Sequence, residues 1–330
     1  MSRSRADICA VHIHSGWRCA STYVWSRFRA LSGTTCFYEP FAERLAHLSP
    51  KRVARDTAQG WQSRHPALER PYRDEYRPLL RPLLRGVRGY RESFALERYF
   101  PTDGARHEIA YLARLLEHAA ARRSVAVFGF SRSLQRAQAL RAGLGGYHIV
   151  LRRSAPQQWL SCRSYRGAAE VPYFELCHAA ILAQAPAQSP AGRLAASLGL
   201  PAMPRWPRWP RWPRDVRGRL QSLNQALSSW SDEQSYQVFI AVYLLGHAAA
   251  TPAADMLIDV ERLGSSAAYR TAVSARIGAE TGLPVDFSDA LTPRREAAVV
   301  GVDFAAVQAD IRARLAAFGA ALEPLEAPGP

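Results

Sequence analysis

The chain has 330 residues, of which 48% are hydrophobic, and this length can bury one large core. Its net charge of +15 suggests a nucleic-acid-binding protein, but the basic residues are spread along the whole chain and Lys51 is the only lysine. We find no RNA-binding aromatic signature and no helix-turn-helix pattern. The charge therefore favours a basic surface for anionic small molecules or anionic membranes over a specific nucleic-acid site.

The sequence carries no signal for a membrane span or for export. The longest apolar stretch, residues 238–250, is shorter than the roughly 20 residues of a membrane helix and predicts a buried core helix. No small-residue cleavage site follows the first apolar run, so no secretory signal is predicted. The five cysteines form no C-x-x-C pair, which favours neither a disulfide framework nor a zinc site. We expect a reduced, cytoplasmic protein.

The first hundred residues alternate between predicted strands and helices. Residues 8–13 form an apolar run that predicts a buried parallel strand. A helix at 21–31, a strand at 34–38 and a short helix at 41–48 follow. Residues 49–101 are rich in arginine, proline and aromatic residues, and we expect loops and short helices there that lie over a functional site.

The same alternation continues along the next part of the chain. An amphipathic helix at 103–122 precedes a strand at 124–130, a helix at 134–142, a strand at 147–151 and a helix at 156–165. Apolar strands that alternate with helices predict an α/β fold, a three-layer sandwich with a central, mainly parallel sheet. We expect a single domain over residues 1–330.

The C-terminal part contains a three-residue repeat, Arg-Trp-Pro, at residues 205–214, inside a Pro/Arg/Trp-rich insertion at 185–218. Proline at every third residue forbids a helix and favours an extended stretch. The repeat is either a tolerated insertion or an Arg/Trp patch that contacts an anionic membrane or a glycan. Helices are predicted at 220–230, 234–250, 267–281 and 302–318, a strand at 256–260, and a disordered tail at 319–330.

The turn after the first strand, residues 14–22, has the composition of an anion-binding loop. Small and hydroxylated residues can point backbone N–H groups into one concavity at a helix start, which favours phosphate. The turn lacks the Gly-Lys-Ser/Thr ending of the Walker A pattern. From these residues alone the turn is either an anion site or an ordinary strand-to-helix connection.

The register Arg18-Cys-Ala-Ser-Thr-Tyr23 resembles the Lys/Arg-Ser-Gly-Thr-Thr-Trp loop of sulfotransferases that use 3′-phosphoadenosine 5′-phosphosulfate (PAPS). The resemblance implies a P-loop NTPase-like fold, a loop that grips the 5′-phosphosulfate, and an Arg18 that stabilises the bridging oxygen. Cys19 and Ala20 depart from the pattern, and Ala20 fits it only if its φ is negative. The loop residues implied in cofactor binding are Ser15, Gly16, Trp17, Arg18, Cys19, Ala20, Ser21 and Thr22.

A second segment, residues 147–161, is similar to the 3′-phosphate segment of the same family. There a strand ends in Arg and a Ser follows eight residues later, and Arg153 and Ser161 have that spacing. A guanidinium fork and a hydroxyl can converge on one phosphate from a strand end and a helix start. Pro156 comes one residue later than is common, so Arg152 is an alternative to Arg153.

The resemblance also implies a general base and an acceptor side. Glu39, which follows the second strand, is the implied base for an acceptor hydroxyl, although a Glu before Pro is also a plain strand terminator. His14 is the alternative base. Apart from the resemblance, Arg132 follows another strand at the same edge of the sheet, where it either binds an anionic acceptor or a sulfate oxygen or faces solvent. Tyr38 is a further candidate for substrate binding.

The activity implied by the resemblance is transfer of a sulfuryl group from the co-substrate PAPS to a hydroxyl of a small-molecule or glycan acceptor, a carbohydrate or glycolipid, without a metal. Residues 49–101 would then be an insertion on the acceptor side. Two alternatives stay open. One is a P-loop kinase, and the other is a catalytically inactive protein that binds nucleotides or glycans.

Overall fold

The computed structural model of the protein describes residues 8–57, 66–82, 85–166, 172–201, 220, 223–297 and 301–322. Its centre is a five-stranded sheet with the order β2-β3-β1-β4-β5, in which every neighbouring pair is parallel. The predicted α/β class with a central parallel sheet is confirmed. The strands are β1 (Ala10–His14), β2 (Thr34–Tyr38), β3 (Val125–Phe130), β4 (Tyr147–Arg152) and β5 (Met256–Asp259).

Helices cover both faces of this sheet. In chain order the helices include α1 (Ser21–Arg29), α2 (Pro50–Ala54), α3 (Arg106–Ala121), α4 (Ala137–Leu144), α5 (Ala155–Arg163), α6 (Tyr173–Ala183), α7 (Pro190–Ser197), α8 (Asp232–Ala250), α9 (Val260–Ser265), α10 (Ala267–Thr281) and α11 (Phe304–Ala317). Helices α1 and α10 share one apolar cluster with the sheet, and α3 and α4 share another on the opposite face. A third cluster joins α5, α6, α7, α8 and α11.

The strands are apolar because both of their faces are covered. Along β1, Val11 and Ile13 belong to the cluster of α1 and α10, whereas Ala10 belongs to that of α3 and α4. Side chains of a strand alternate between its two faces, so a strand covered on both sides reads as a continuous apolar run. This is the pattern that residues 8–13 show in the sequence.

Helix α8 is the predicted core helix. It begins at a capping box, in which the Ser231 hydroxyl and the Gln234 side chain each bond the backbone of the other residue. Most of its side chains are buried, as the apolar stretch at 238–250 predicts. Among the described residues, no helix has the length and apolar character that crossing a membrane requires.

The structure differs from the predicted elements at several places. Residues 41–48, predicted as a helix, contain only a 3-10 helix at Glu43–His47. Strand β5 ends at Asp259, because the Asp259 carboxylate accepts two backbone N–H groups and so begins α9. Helices α6 and α7 were not predicted, and α7 lies within the predicted insertion at 185–218. The Arg-Trp-Pro repeat and residues 323–330 of the predicted tail lie outside the described residues.

The strand order determines where a ligand would bind. All five strands are parallel, so their carboxyl ends meet at one edge of the sheet. Strands β2 and β3 lie on one side of β1, and β4 and β5 lie on the other, which makes β1 the point where the chain reverses its direction across the sheet. Open α/β sheets bind ligands at such a switch point. The loop after β1 therefore lies between the ends of β3 and β4.

Candidate functional site

The loop between β1 and α1 contains two left-handed residues. Arg18 has a φ of 63° and Ala20 a φ of 53°, a region that residues other than glycine rarely adopt. Left-handed residues alternating with right-handed ones turn successive N–H groups toward one side, as in anion-binding nests. Helix α1 then begins with no side-chain cap at Ala20 and no acidic residue in its first turn. Its first N–H groups thus face no competing carboxylate of their own segment.

The two segments that the sequence predicts for a nucleotide lie in contact. Arg18 Nε donates to Ser161 Oγ at 3.2 Å, which joins the loop to α5. Arg153 Nη1 donates to the Arg18 carbonyl at 2.9 Å. Gln158 Nε2 donates to the Trp17 carbonyl at 2.8 Å. Residues far apart in the chain therefore form one cluster at the carboxyl edge of the sheet.

Arg153, and not Arg152, faces this loop. Arg153 is 6% exposed, and in addition to the Arg18 carbonyl it reaches the Arg294 carbonyl at 2.9 Å. Arg152 instead donates to Thr251 Oγ1 at 2.8 Å. Neighbouring residues of an extended chain project to opposite sides, which explains why the two arginines separate. These two bonds use two of the five N–H groups of the guanidinium, which leaves others that can donate to a phosphate.

Several loop side chains point into the protein. Ser15 Oγ donates to the Phe130 carbonyl at 2.7 Å and so ties the loop to β3. Cys19 is fully buried, and burial raises the pKa of its thiol to about 12, so it is protonated at neutral pH. A Cβ at Gly16 would lie 2.6 Å from Gln158 Nε2. The loop therefore offers a ligand its backbone and Arg18 rather than these side chains.

Two further predicted residues connect the loop region to β2. Thr22 Oγ1 and the Tyr38 hydroxyl are 2.9 Å apart, and Tyr38 is only 4% exposed. Ser21, the first residue of α1, is buried as well. These contacts hold the start of α1 against the end of β2. The Tyr38 side chain therefore packs inside the protein and does not face solvent.

Glu39 directly follows β2, and hydrogen bonds hold its carboxylate in place. Its φ is 49°, another left-handed value. Its Oε2 accepts hydrogen bonds from Ser131 N at 3.3 Å, Ser131 Oγ at 2.7 Å and Arg132 Nη1 at 3.2 Å. All three bonds fall on one oxygen. Burial raises the pKa of Glu39, and Arg132 and Ser131 oppose that shift.

Arg132 links Glu39 to the loop. It is 3% exposed, and its Nη2 donates to Glu43 Oε2 at 2.9 Å and to the Tyr173 hydroxyl at 2.8 Å. Its guanidinium lies 5.0 Å from the centroid of the Trp17 ring. The sequence assigned Arg132 to substrate binding, whereas in the structure its Nη1 and Nη2 donate to these internal partners. The arrangement can fix the orientation of the Glu39 carboxylate.

His14 lies beneath the loop in a chain of hydrogen bonds. His148 Nε2 donates to the Gly145 carbonyl at 2.9 Å, and His148 Nδ1 lies 3.0 Å from His14 Nε2. His14 Nδ1 lies 2.7 Å from the Ser133 hydroxyl. His14 is fully buried, and burial lowers its pKa well below the usual value. Its basic nitrogen is thus occupied within the protein.

Sequence reasoning missed some residues that complete this cluster. Gln158 and Ser131 each directly contact a predicted residue, and their signal was their position, beside Ser161 on α5 and beside Arg132 after β3. Tyr173 lies on α6, a helix that was not predicted. Glu43 follows Glu39 by four residues in a segment with no clear periodicity.

No group of three or more His, Cys, Asp or Glu side chains is arranged to hold a metal ion in the part of the chain that the structure describes. Comparisons with known protein families, with curated proteins and with solved structures found no match. A functional proposal for this site therefore depends on its geometry together with the sequence resemblance.

Proposed function

We propose that the protein binds PAPS at the loop between β1 and α1 and transfers its sulfuryl group to a hydroxyl of an acceptor, a carbohydrate or glycolipid. The observation that carries the proposal is the contact of Arg18 Nε with Ser161 Oγ. It joins the two segments that resemble the 5′-phosphosulfate and 3′-phosphate segments of PAPS-dependent sulfotransferases. Loops after the neighbouring parallel strands β1 and β4 share one edge of the sheet, and the residues that meet there are the arginine and the serine that the resemblance names.

Charge and hydrogen bonding at the cluster suit a nucleotide with two phosphates. Arg18 and Arg153 bring two guanidinium groups to the same loop, and guanidinium forks bind phosphate and sulfate oxygens in pairs. The uncapped start of α1 adds backbone donors. The switch-point position beside β1 is where a parallel sheet of this order accommodates a ligand.

The proposed reaction is an in-line displacement at sulfur. Glu39 takes the proton of the acceptor hydroxyl, the acceptor oxygen forms the new O–S bond, and the S–O bond to the 5′-phosphate breaks. The electron pair leaves on 3′,5′-diphosphoadenosine, where Arg18 stabilises the charge. Arg132 is a positioning residue that orients Glu39. Positioning and electrostatic stabilisation supply most of the rate, as in phosphoryl transfer.

Titration calorimetry with 3′,5′-diphosphoadenosine and with ATP tests the nucleotide site. We expect the bisphosphate to bind the wild-type chain, and Arg18→Ala to weaken it about tenfold or more, because a charge-assisted hydrogen bond is lost. Arg276→Ala, a change at a half-exposed surface arginine on α10, is the control and should leave affinity unchanged. Absence of bisphosphate binding would overturn the proposal, and tighter binding of ATP would favour a kinase.

Transfer of labelled sulfate from PAPS to glycans and lipids of a cell extract tests the chemistry. Glu39→Gln keeps the shape of the side chain but removes the base, so we expect bisphosphate binding to persist and transfer to fall by about 10²–10⁴-fold. Undiminished transfer in Glu39→Gln would remove Glu39 as the base. A wild-type chain that binds the bisphosphate but labels no acceptor would favour the inactive binding protein.

A further inference from the structure

A separate cleft lies between residues 48 and 85, beside the edge strand β2. It has a volume of about 410 Å³, within the range of small-ligand sites. It opens between the start of α2, the 3-10 helix Asp74–Leu79 and the loop that follows this helix. Its lining consists of three arginines, four apolar residues and one serine, without an acidic side chain: Arg77, Arg81, Arg85, Leu48, Pro50, Leu80, Pro82 and Ser49.

The cations of this cleft are incompletely neutralised. Arg81 and Arg85 are exposed, and their side chains form no hydrogen bond or ion pair with the described residues. Arg77 Nε donates a hydrogen bond to the Asp74 carboxylate, and Asp74 is not part of the lining. Three guanidinium groups around one concavity repel one another, and a bound anion would relieve this repulsion.

The backbone holds the two ends of the loop that carries Arg81 and Arg85. Leu80 and Val87 form an antiparallel bridge, and Arg81 N donates to the Gly86 carbonyl at 3.1 Å. Gly86 N in turn donates to the Leu48 carbonyl at 2.8 Å. The backbone at Arg81 and next to Arg85 is therefore tied to described neighbours, while the two exposed side chains are ordered only when a ligand binds.

Gly86 explains how this loop closes onto the neighbouring wall of the cleft. Its φ is 97°, and a Cβ there would lie 2.4 Å from the Ala46 carbonyl oxygen. Only glycine combines this backbone conformation with so close an approach. The basic loop and the apolar wall at Leu48 are thus brought together by a specific residue rather than by a chance fold of the surface.

We propose that this cleft binds an organic phosphate or sulfate ester whose carbon portion is apolar. Arg81 and Arg85 grip the ester oxygens in bidentate fashion, and Arg77 adds a third positive charge. The leucine and proline walls contact the apolar portion. The site contains none of the residues around the β1–α1 loop, so its test is independent of the test of the proposed PAPS site.

The test compares inorganic phosphate with octyl phosphate by titration calorimetry on the full chain. We expect octyl phosphate to bind about tenfold or more tightly than inorganic phosphate, because several methylene groups become buried. Arg81→Gln combined with Arg85→Gln should weaken octyl phosphate binding at least about tenfold. Equal affinity for the two probes, or no binding of octyl phosphate, would overturn the proposal.

A matched control separates the cleft from diffuse surface charge. Arg55→Gln combined with Arg91→Gln removes the same charge at exposed positions outside the lining. This control should retain octyl phosphate affinity within about twofold, since screened surface charges contribute little. An equal loss of octyl phosphate affinity in both double variants would show that net charge alone attracts the ligand. That result would contradict a specific site in the cleft.

Vesicle sedimentation distinguishes a lipid head group from a soluble ester. Vesicles of phosphatidylcholine with phosphatidic acid are compared with vesicles of phosphatidylcholine alone. In one outcome, the Arg81/Arg85 variant fails to sediment with phosphatidic acid vesicles while the Arg55/Arg91 variant still does. This result supports the site and identifies its ligand as a lipid head group. Octyl phosphate binding without sedimentation supports the site and identifies a soluble ester. Sedimentation that both variants reduce equally contradicts the site.

Discussion

Left-handed backbone residues gather around the candidate site. Five non-glycine residues of the described chain have a positive φ, and three of them are Arg18, Ala20 and Glu39. Such a conformation costs an L-residue roughly 1–2 kcal/mol and persists where the surroundings enforce it. The sulfotransferase loop has glycine at the position of Ala20, and a negative φ was the condition for alanine to fit it. That condition is not met, so Ala20 stores strain in the loop.

This strain predicts that Ala20→Gly stabilises the protein. Glycine adopts the left-handed region without the Cβ clash, so we expect the free energy of unfolding to rise by about 1 kcal/mol. Urea denaturation measures it. Ala30→Gly is the control, because Ala30 has a φ of −73° and glycine there should cost about 0.5–1 kcal/mol. Destabilisation by Ala20→Gly would contradict the strained conformation.

The docking of α1 onto the sheet depends on a glycine in β3. Trp25 of α1 is fully buried, and its indole lies against Gly129, where a Cβ would meet Trp25 Cδ1 at 2.7 Å. Glycine inside a strand usually weakens it, and here it permits a close approach of the helix. The start of α1 carries the loop, so this contact also sets where the loop lies.

Gly129→Ala should therefore destabilise the protein by about 1–3 kcal/mol, because a methyl group is forced into a packed interior. Gly278→Ala is the matched control within α10, where the only neighbour of the new Cβ is at 3.8 Å. There alanine should stabilise the helix by up to about 1 kcal/mol. Thermal and urea unfolding of both variants measure these changes. A Gly129→Ala variant as stable as wild type would show that α1 can shift freely.

Strands and helices with a clear hydrophobic pattern could be predicted from the sequence, whereas a helix buried on most sides could not. Strands β1 to β5 are apolar runs next to turn residues, and α3 has an amphipathic face. Helix α6 is apolar over most of its surface because other helices surround it, with Cys177, Ala180 and Ile181 all fully buried. Without a polar face it shows no helical period, and it was missed.

At the scale of the whole molecule, buried histidines couple the fold to pH. His12, His14 and His148 stack on one face of the sheet, with the ring centroids of His12 and His148 4.4 Å apart, and all three are fully buried. Burial lowers the pKa of His12 and His14 well below 6.5. It also lowers the pKa of His178 to about 4 and that of His247 to about 3.

These shifts predict that stability falls as the pH drops below about 6.5. The unfolded chain takes up protons there while the folded histidines stay neutral, so each group subtracts up to about 1.4 kcal/mol per pH unit until its folded pKa is reached. Urea midpoints between pH 8 and pH 5 measure the slope. His12→Phe removes one such group, so the free energy of unfolding should depend less steeply on pH, by the equivalent of about one proton. Any loss of stability from altered packing is measured separately at pH 8. A slope unchanged by His12→Phe would contradict this account.

The sequence by itself determined the strands and most helices of this protein, because these are properties of short segments, where apolar period and turn composition suffice. The resemblance of two segments to sulfotransferase motifs made Arg18, Arg153 and Ser161 candidates. Only the tertiary structure decided which residues meet. It brought Arg18 to Ser161, turned Arg153 rather than Arg152 toward the loop, and placed Arg132 on Glu39, because such contacts depend on the strand order and on the side of the strand from which each residue projects.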